Sequence, residues 1–227
     1  GPGGVWVVGS ALSGTDWNIS SARYATNGDL NTAFFTVGYR ALNITANSDA
    51  GYALASGTYG GEIRIALVGA RNNGTNLDFH IVRLITNGDL DTAFATTGAA
   101  LIPVGTADDI GMSANMADDG KLTIAGEAGN ATQDFGFVRV NSNGSLDTSF
   151  RTLGTFSLAV LSGDEGATTL ANTGSGNLIA MGKTLNAAAN LDVAVVRLAT
   201  DGNLAPSDLD YTWTTTGVGH VDFAANY

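Results

Sequence analysis

Apolar residues come in short runs along this chain, some alternating with polar positions and some wholly apolar, each bounded by Gly, Asn, Asp or Ser. Such runs read as β-strands joined by tight turns. They fall into four kinds, a to d, that recur in a fixed order. Strand d carries D-F-x-(I/F/V)-V-R at residues 78–83 and 134–139, with looser versions at 18–23 and 192–197. Alternation puts Phe79, Ile81 and Arg83 on one face and Val82 and Leu84 on the other, so this strand is expected to be buried on both sides. Strand c is a β-branched run closing on a glycine, at residues 5–9, 63–69, 122–126 and 178–182. Strand b is rich in small residues (49–55, 109–115 and 165–171), and strand a begins after Gly38, Gly98, Gly154 and Gly217.

Between d and a stands one phrase in four copies: RYATNGDLNTAF from Arg23, RLITNGDLDTAF from Arg83, RVNSNGSLDTSF from Arg139, and a longer, altered RLATDGNLAPSDLDY from Arg197. The copies are 60, 56 and 58 residues apart, so the chain is an array of one unit of about 58 residues. Asn-Gly or Asp-Gly supplies a tight turn. The following Leu-Asp-Thr-x-Phe predicts one short helical turn, with Asp91 or Asp147 capping free amides and Phe34, Phe94 or Phe150 dropping into the core. The repeat corners span 23–38, 83–98, 139–154 and 197–217.

The count reaches fifteen strands: c and d, three full sets of four, and a final a. Four-stranded sheets repeated around an axis describe an all-β protein, a β-propeller of four units over residues 1–227, with each sheet covered on both faces. Because the chain starts at c and ends at a, the last blade is expected to be closed by strands from both termini, with one strand b missing. An open or linear array of four-stranded sheets is the alternative.

The combined pattern, D-G-K-L-T-I-A-G at 119–126, then D-F-x-x-V-R, then N-G-(D/S)-L-D-T-(A/S)-F, resembles the delta-60 repeat of bacterial proteins, also grouped as a domain of unknown function with a propeller fold. The resemblance covers nearly the whole chain and fits the third unit best. It implies a repeat of large, exported or cell-surface bacterial proteins, with no assigned chemistry and no catalytic residues to carry over.

A chain of 227 residues that is 44% hydrophobic can bury a core, and its formal charge of −11 changes which partners are sensible. An acidic surface repels phosphate backbones, and the few arginines are evenly spaced, so nucleic acid and anionic membrane are set aside. The absence of cysteine excludes disulfides, thiolate catalysis and cysteine metal sites. No run approaches 18 apolar residues, so no membrane span is expected. The opening Gly1-Pro2 resembles a protease-cleavage remnant, which would place any targeting segment upstream.

Half of the eight arginines, Arg23, Arg83, Arg139 and Arg197, occupy one repeat position. They would serve either as a ring for an anionic ligand or, the favoured reading, as internal partners of the corner residues Asn31, Asp91 and Asp147 or of Asp29 and Asp89. Asp89 with Asp91, and Asp108-Asp109 with Asp118-Asp119, invite a calcium site, but no stretch has the spacing of a known loop. His80 and His220 do not recur, and no nucleophile elbow or zinc helix accompanies them. No cofactor or metal is expected. An enzyme is not expected either, although a glycosidase needs only two carboxylates.

Repeats hold their frame constant and vary their loops, so function is sought where the units differ. The c–d loops differ most, and Trp17, Tyr59 and Arg71 lie in or near variable segments as candidate contacts to a sugar. The expected function is non-catalytic recognition or adhesion, of glycan or of another surface ligand, outside the cell or on its surface. A structural subunit of a surface fibre, pairing strands between chains as a homo-oligomer or with a parent-fibre neighbour, is the alternative.

Overall fold

The computed structural model describes residues 4–173, 176–185, 190–204 and 218–221, and among them there is no helix. Fifteen strands are present. The first sheet has three, β1 (Val5–Ser13), β2 (Asp16–Tyr24) and β3 (Tyr39–Ala41), in that spatial order. The second orders β4 (Asp49–Tyr59), β5 (Glu62–Asn72), β6 (Leu77–Leu84) and β7 (Ala99–Ile102). The third is β8 (Ile110–Met116), β9 (Leu122–Gly129), β10 (Gln133–Val140) and β11 (Thr155–Leu158). The fourth is β12 (Glu165–Asn172), β13 (Leu178–Leu185), β14 (Leu191–Leu198) and β15 (Val218–Val221). All neighbours are antiparallel, so each sheet is a meander of kinds b, c, d and a, and among the described residues the first sheet lacks its b.

The sheets stack face to face in chain order around three apolar layers. Trp6, Val8 and Ile19 of the first sheet meet Ile65, Leu67, Val82 and Leu84 of the second. The second sheet's other face, Ala66, Val68, Phe79 and Ile81, meets Leu122, Ile124, Val138 and Val140. Phe135, Phe137 and Ala125 then meet Leu178, Ala180, Val196 and Leu198. In the second and third sheets strand d is therefore apolar on both sides because a sheet covers each side, as the alternation implies.

Strand b lies at the close approach between sheets, where β4 packs on β1, β2 and β8, and β8 on β12. Within each of these sheets, glycine also lets strand b lie close against strand c. A Cβ on Gly69, Gly126 or Gly182, the glycines that close strand c, would stand 1.8, 1.9 or 1.8 Å from the carbonyl oxygen of Ala50, Ile110 or Gly166 in strand b of the same sheet. No side chain fits there.

Two expectations are corrected. The final strand a does not join the first sheet: β15 pairs with β14 inside the fourth sheet, and among the described residues β1 to β3 form a sheet of their own. Among the described residues no strand of the fourth sheet packs face to face on the first. The corner phrase is a turn rather than a piece of helix, closed by a single bond from the Phe94 amide to the Asp91 carbonyl, or from Phe150 to Asp147, both 2.9 Å. The chain leaves it through two residues of positive φ, Ala95 and Thr96 or Arg151 and Thr152, which rules out a continuing helix. The capping role and the buried phenylalanines stand. Asp91 Oδ1 accepts the Ala93 amide at 3.2 Å, and Phe34, Phe94 and Phe150 are buried, each contributing about 1.5–3 kcal/mol by area.

Candidate functional site

The repeated arginines are part of the frame. Arg83 Nε donates to Asp91 Oδ2 at 2.8 Å and Arg139 Nε to Asp147 Oδ2 at 2.7 Å, and each guanidinium lies over the corner ring, 4.5 Å from Phe94 and 4.4 Å from Phe150. Each also donates onward to the next unit, Arg83 to the Ser142 carbonyl and Arg139 to that of Thr200. The corners are bonded to one another as well, Phe35 N to Asn87 O and Ala95 N to Asn143 O at 2.8 Å. The first unit has Asn31 where the second and third have aspartate, and Arg23 lies over Trp6 at 4.4 Å instead. The partner of this position is the carboxylate next to the phenylalanine turn; Asp89 is held by Asn87 Nδ2 at 2.7 Å. The corner that would face Arg197, together with Tyr211 and Trp213, lies outside the described residues, as does the His220 side chain.

A second cation joins each corner carboxylate, Arg64 Nε to Asp91 and Lys121 Nζ to Asp147, at 2.8 and 3.0 Å. Burial works against the Asp147 charge, but hydrogen bonds from Ser149 and Lys121 and the neighbouring Arg139 hold its carboxyl far below the usual carboxylate range. A cleft of about 390 Å³ opens here between the third and fourth sheets, but its cations Lys121 and Arg139 are already engaged by Asp147.

The acidic candidates for calcium are dispersed among structural duties. Asp109 heads strand b of the third sheet and accepts amides from Val104, Gly105 and Gly129, while Asp108 Oδ1 accepts the Leu77 amide at 2.8 Å. Burial pushes Asp109 up despite those amides. Among the described residues no three His, Asp or Glu side chains converge on a point.

The three candidate ligand contacts do not form one site. Tyr59 sits between the second and third sheets, its hydroxyl 3.1 Å from Ser142 Oγ and its ring against Gly120. Arg71 is inside the second sheet, opposite Asp49 in register. Trp17 alone lies on an open cleft, about 350 Å³, that it shares with Ser10, Ser48, Asp49, Tyr52 and Leu77 at the c–d loop end of the first two sheets. Trp17 and Tyr52 are 52% and 50% exposed, two aromatic rings that no protein core uses.

Sequence reading missed Tyr52 and Asp49. Both have a repeat signal. Tyr52 occupies a bulge that recurs at the same place in strand b, between Gly51 and Ala53, Gly111 and Ser113, and Ala167 and Thr169. The bulged residue is Tyr52, Met112 or Thr168, and a bulge re-aims the side chain it carries. Asp49, Asp109 and Glu165 are one repeat position, each buried and each accepting backbone amides. In Asp109 and Glu165 both oxygens are engaged, whereas Asp49 Oδ1 takes the Ile19 amide and Oδ2 has no partner. Burial raises the Asp49 carboxyl above its ordinary value, partly offset by that amide and by Arg71.

Three stretches of the chain, residues 64–94, 117–150 and 174–207, match the family model described as "Domain of unknown function (DUF5122) beta-propeller". The chain therefore carries three repeats of this family. Each match runs through strand c, strand d and the corner, the parts of the unit that the arginine network ties together. No curated protein matches the chain.

Proposed function

We propose that this β-propeller repeat chain is a non-catalytic recognition or adhesion module of an exported or cell-surface bacterial protein, with its four sheets as blades of one propeller and a glycan or another surface ligand held at the end of the first two. The observation that carries the reading is the cleft of about 350 Å³ flanked by Trp17 and Tyr52. Half-exposed aromatic rings beside the Ser10 and Ser48 hydroxyls and the unpartnered Asp49 oxygen offer a stacking surface next to a few polar groups, the usual make-up of a small-ligand site. The test is a screen of immobilised glycans and whole bacterial cells, followed by calorimetry on hits. Trp17→Ala and Tyr52→Ala are each expected to weaken a hit at least tenfold while leaving the melting temperature within a few degrees. Binding untouched by both changes would remove the cleft from the proposal.

A second reading, a subunit of a surface assembly that pairs strands between chains, is favoured by a different observation: among the described residues the first sheet has three strands where the others have four. Light scattering over a concentration series separates the two readings, since recognition requires no self-association.

A further inference from the structure

The first sheet keeps the sequence features of a sheet that has a strand b, although none is present among the described residues. Strand c closes on a glycine in all four units, Gly9, Gly69, Gly126 and Gly182. In the last three the reason is visible, because a strand-b carbonyl lies where a side chain would be. A Cβ on Gly9 would have nothing within 4 Å, and its backbone is not in the left-handed region, so neither contact nor conformation in this structure requires glycine there.

The edge around Gly9 is open in the same sense. β1 pairs with β2 on one side only, and along its other edge the amides and carbonyls of alternate residues of VWVVGSALS have no strand beside them among the described residues. It has no charge, no proline and no bulge, the devices that ordinarily keep an edge strand from pairing. The edges at the opposite side of the described sheets, β3, β7, β11 and β15, are only three or four residues long. The face beside the β1 edge is also bare. Val5 and Val7 are 61% and 43% exposed, while their counterparts Ile65 and Leu67, Leu122 and Ile124, and Leu178 and Ala180 are buried. A shallow cavity of about 350 Å³ runs over that face past Val7, Gly9, Ala22 and Tyr39.

We infer that the free edge of β1 is an acceptor for an incoming antiparallel strand of the b kind, a carboxylate followed two residues later by Gly or Ala, whose carbonyl seats over Gly9. The occupant is defined by the three strands that fill this place elsewhere: Asp49, Asp109 or Glu165 at the head, then Gly51, Gly111 or Ala167. Backbone pairing supplies affinity, and the glycine contact supplies register, because only a strand set with its carbonyl over Gly9 avoids the β1 side chains. The inference deepens the assembly reading by naming the acceptor and the chemistry of the donor strand.

The experiment titrates a labelled synthetic peptide of residues 107–117 into the full chain and follows fluorescence polarisation, beside a scrambled peptide of the same composition. A second arm tethers the same peptide through a flexible linker to the N-terminus and reads the melting temperature. Saturable binding of the native peptide alone is expected, with a rise of several degrees for the tethered form. Gly9→Val is expected to weaken binding at least tenfold and cancel the rise without lowering the melting temperature of the untethered chain. Absence of saturation together with no rise on tethering overturns the inference, as does full binding by Gly9→Val. Self-association in light scattering without peptide capture would leave the assembly reading standing and remove the β1 edge from it.

Discussion

The first and third sheets are built from the same repeat, yet one is enclosed and the other half open. In the third sheet Gly126 is pressed against Ile110, Arg139 is locked to Asp147, and Leu122 and Ile124 are buried under the second sheet. In the first, a Cβ on Gly9 would meet nothing within 4 Å, Arg23 has Asn31 in place of the carboxylate, and Val5 and Val7 face outward. A repeat protein derives its stability from interfaces between units as much as from the units themselves. The comparison therefore separates what a residue does by its own conformation from what it does because a neighbour is present.

Glycine gives the sharpest form of that contrast. Gly126→Val would drive a side chain to within 1.9 Å of the Ile110 carbonyl, and since both atoms belong to packed backbone the sheet must part. A loss of more than about 4 kcal/mol is expected, with failure to fold as the extreme result. Gly9→Val meets open space in a strand and is expected to leave stability unchanged or raise it by a few tenths of a kcal/mol, roughly. Urea melts of the two variants check this. Equal losses would show that the glycines are kept for strand conformation and that the missing strand b is irrelevant.

The strand kinds, their order, the total of fifteen, the Asn-Gly turns and the buried corner phenylalanines were legible because each rests on local chemistry: a two-residue period, tolerance of positive φ, or a ring at a fixed offset. What was not legible depended on which strands share a sheet. The chain alone does not say whether the final strand a joins the sheet before it or the sheet at the other end, and the structure puts β15 on β14. The open site suffered for the same reason. Trp17 was visible as an aromatic in a variable loop, but Tyr52 sits inside a strand pattern, and only the bulge at Gly51 turns it outward. Tyr59 looked equally available and instead fills an inter-sheet gap against Gly120 and Ser142.

The arginine position sharpens the comparison at a smaller scale. Arg83→Ala leaves Asp91 buried with one cation, Arg64, and cuts the bond to the Ser142 carbonyl of the next unit, so a loss of about 3 kcal/mol is expected. Arg23→Ala removes a guanidinium stacked on Trp6 with no corner carboxylate to strand, and about 1 kcal/mol is expected. Chemical denaturation of both variants reads the difference. Equal losses would mean that ring stacking, common to both positions, holds the corner and that the carboxylate adds nothing.

The last contrast concerns a position that is Ser20 in the first sheet, Gly136 in the third, Ala194 in the fourth and His80 in the second. His80 is fully buried, neither ring nitrogen has a hydrogen-bond partner, and burial together with the Arg71 charge pushes the imidazole down to about 3. The unfolded chain takes up a proton near the ordinary value of about 6.5, while the folded chain does so only near 3. Between those values the unfolded state binds the extra proton, so stability present at neutral pH is lost as pH falls through the window, by at most about 1.4 kcal/mol per pH unit. His80→Leu, apolar and of similar size, is expected to flatten that part of the pH–stability curve while the separate loss from Asp147, which begins only as pH falls below its ordinary value of 3.8, persists, because that carboxyl is held far below its ordinary range by Ser149, Lys121 and Arg139 against the effect of burial. Urea melts at intervals from pH 7 to pH 4 measure it. An unchanged slope in His80→Leu would show that the imidazole finds a proton-accepting partner in the fold, and that the second sheet is no more closed at this point than the first.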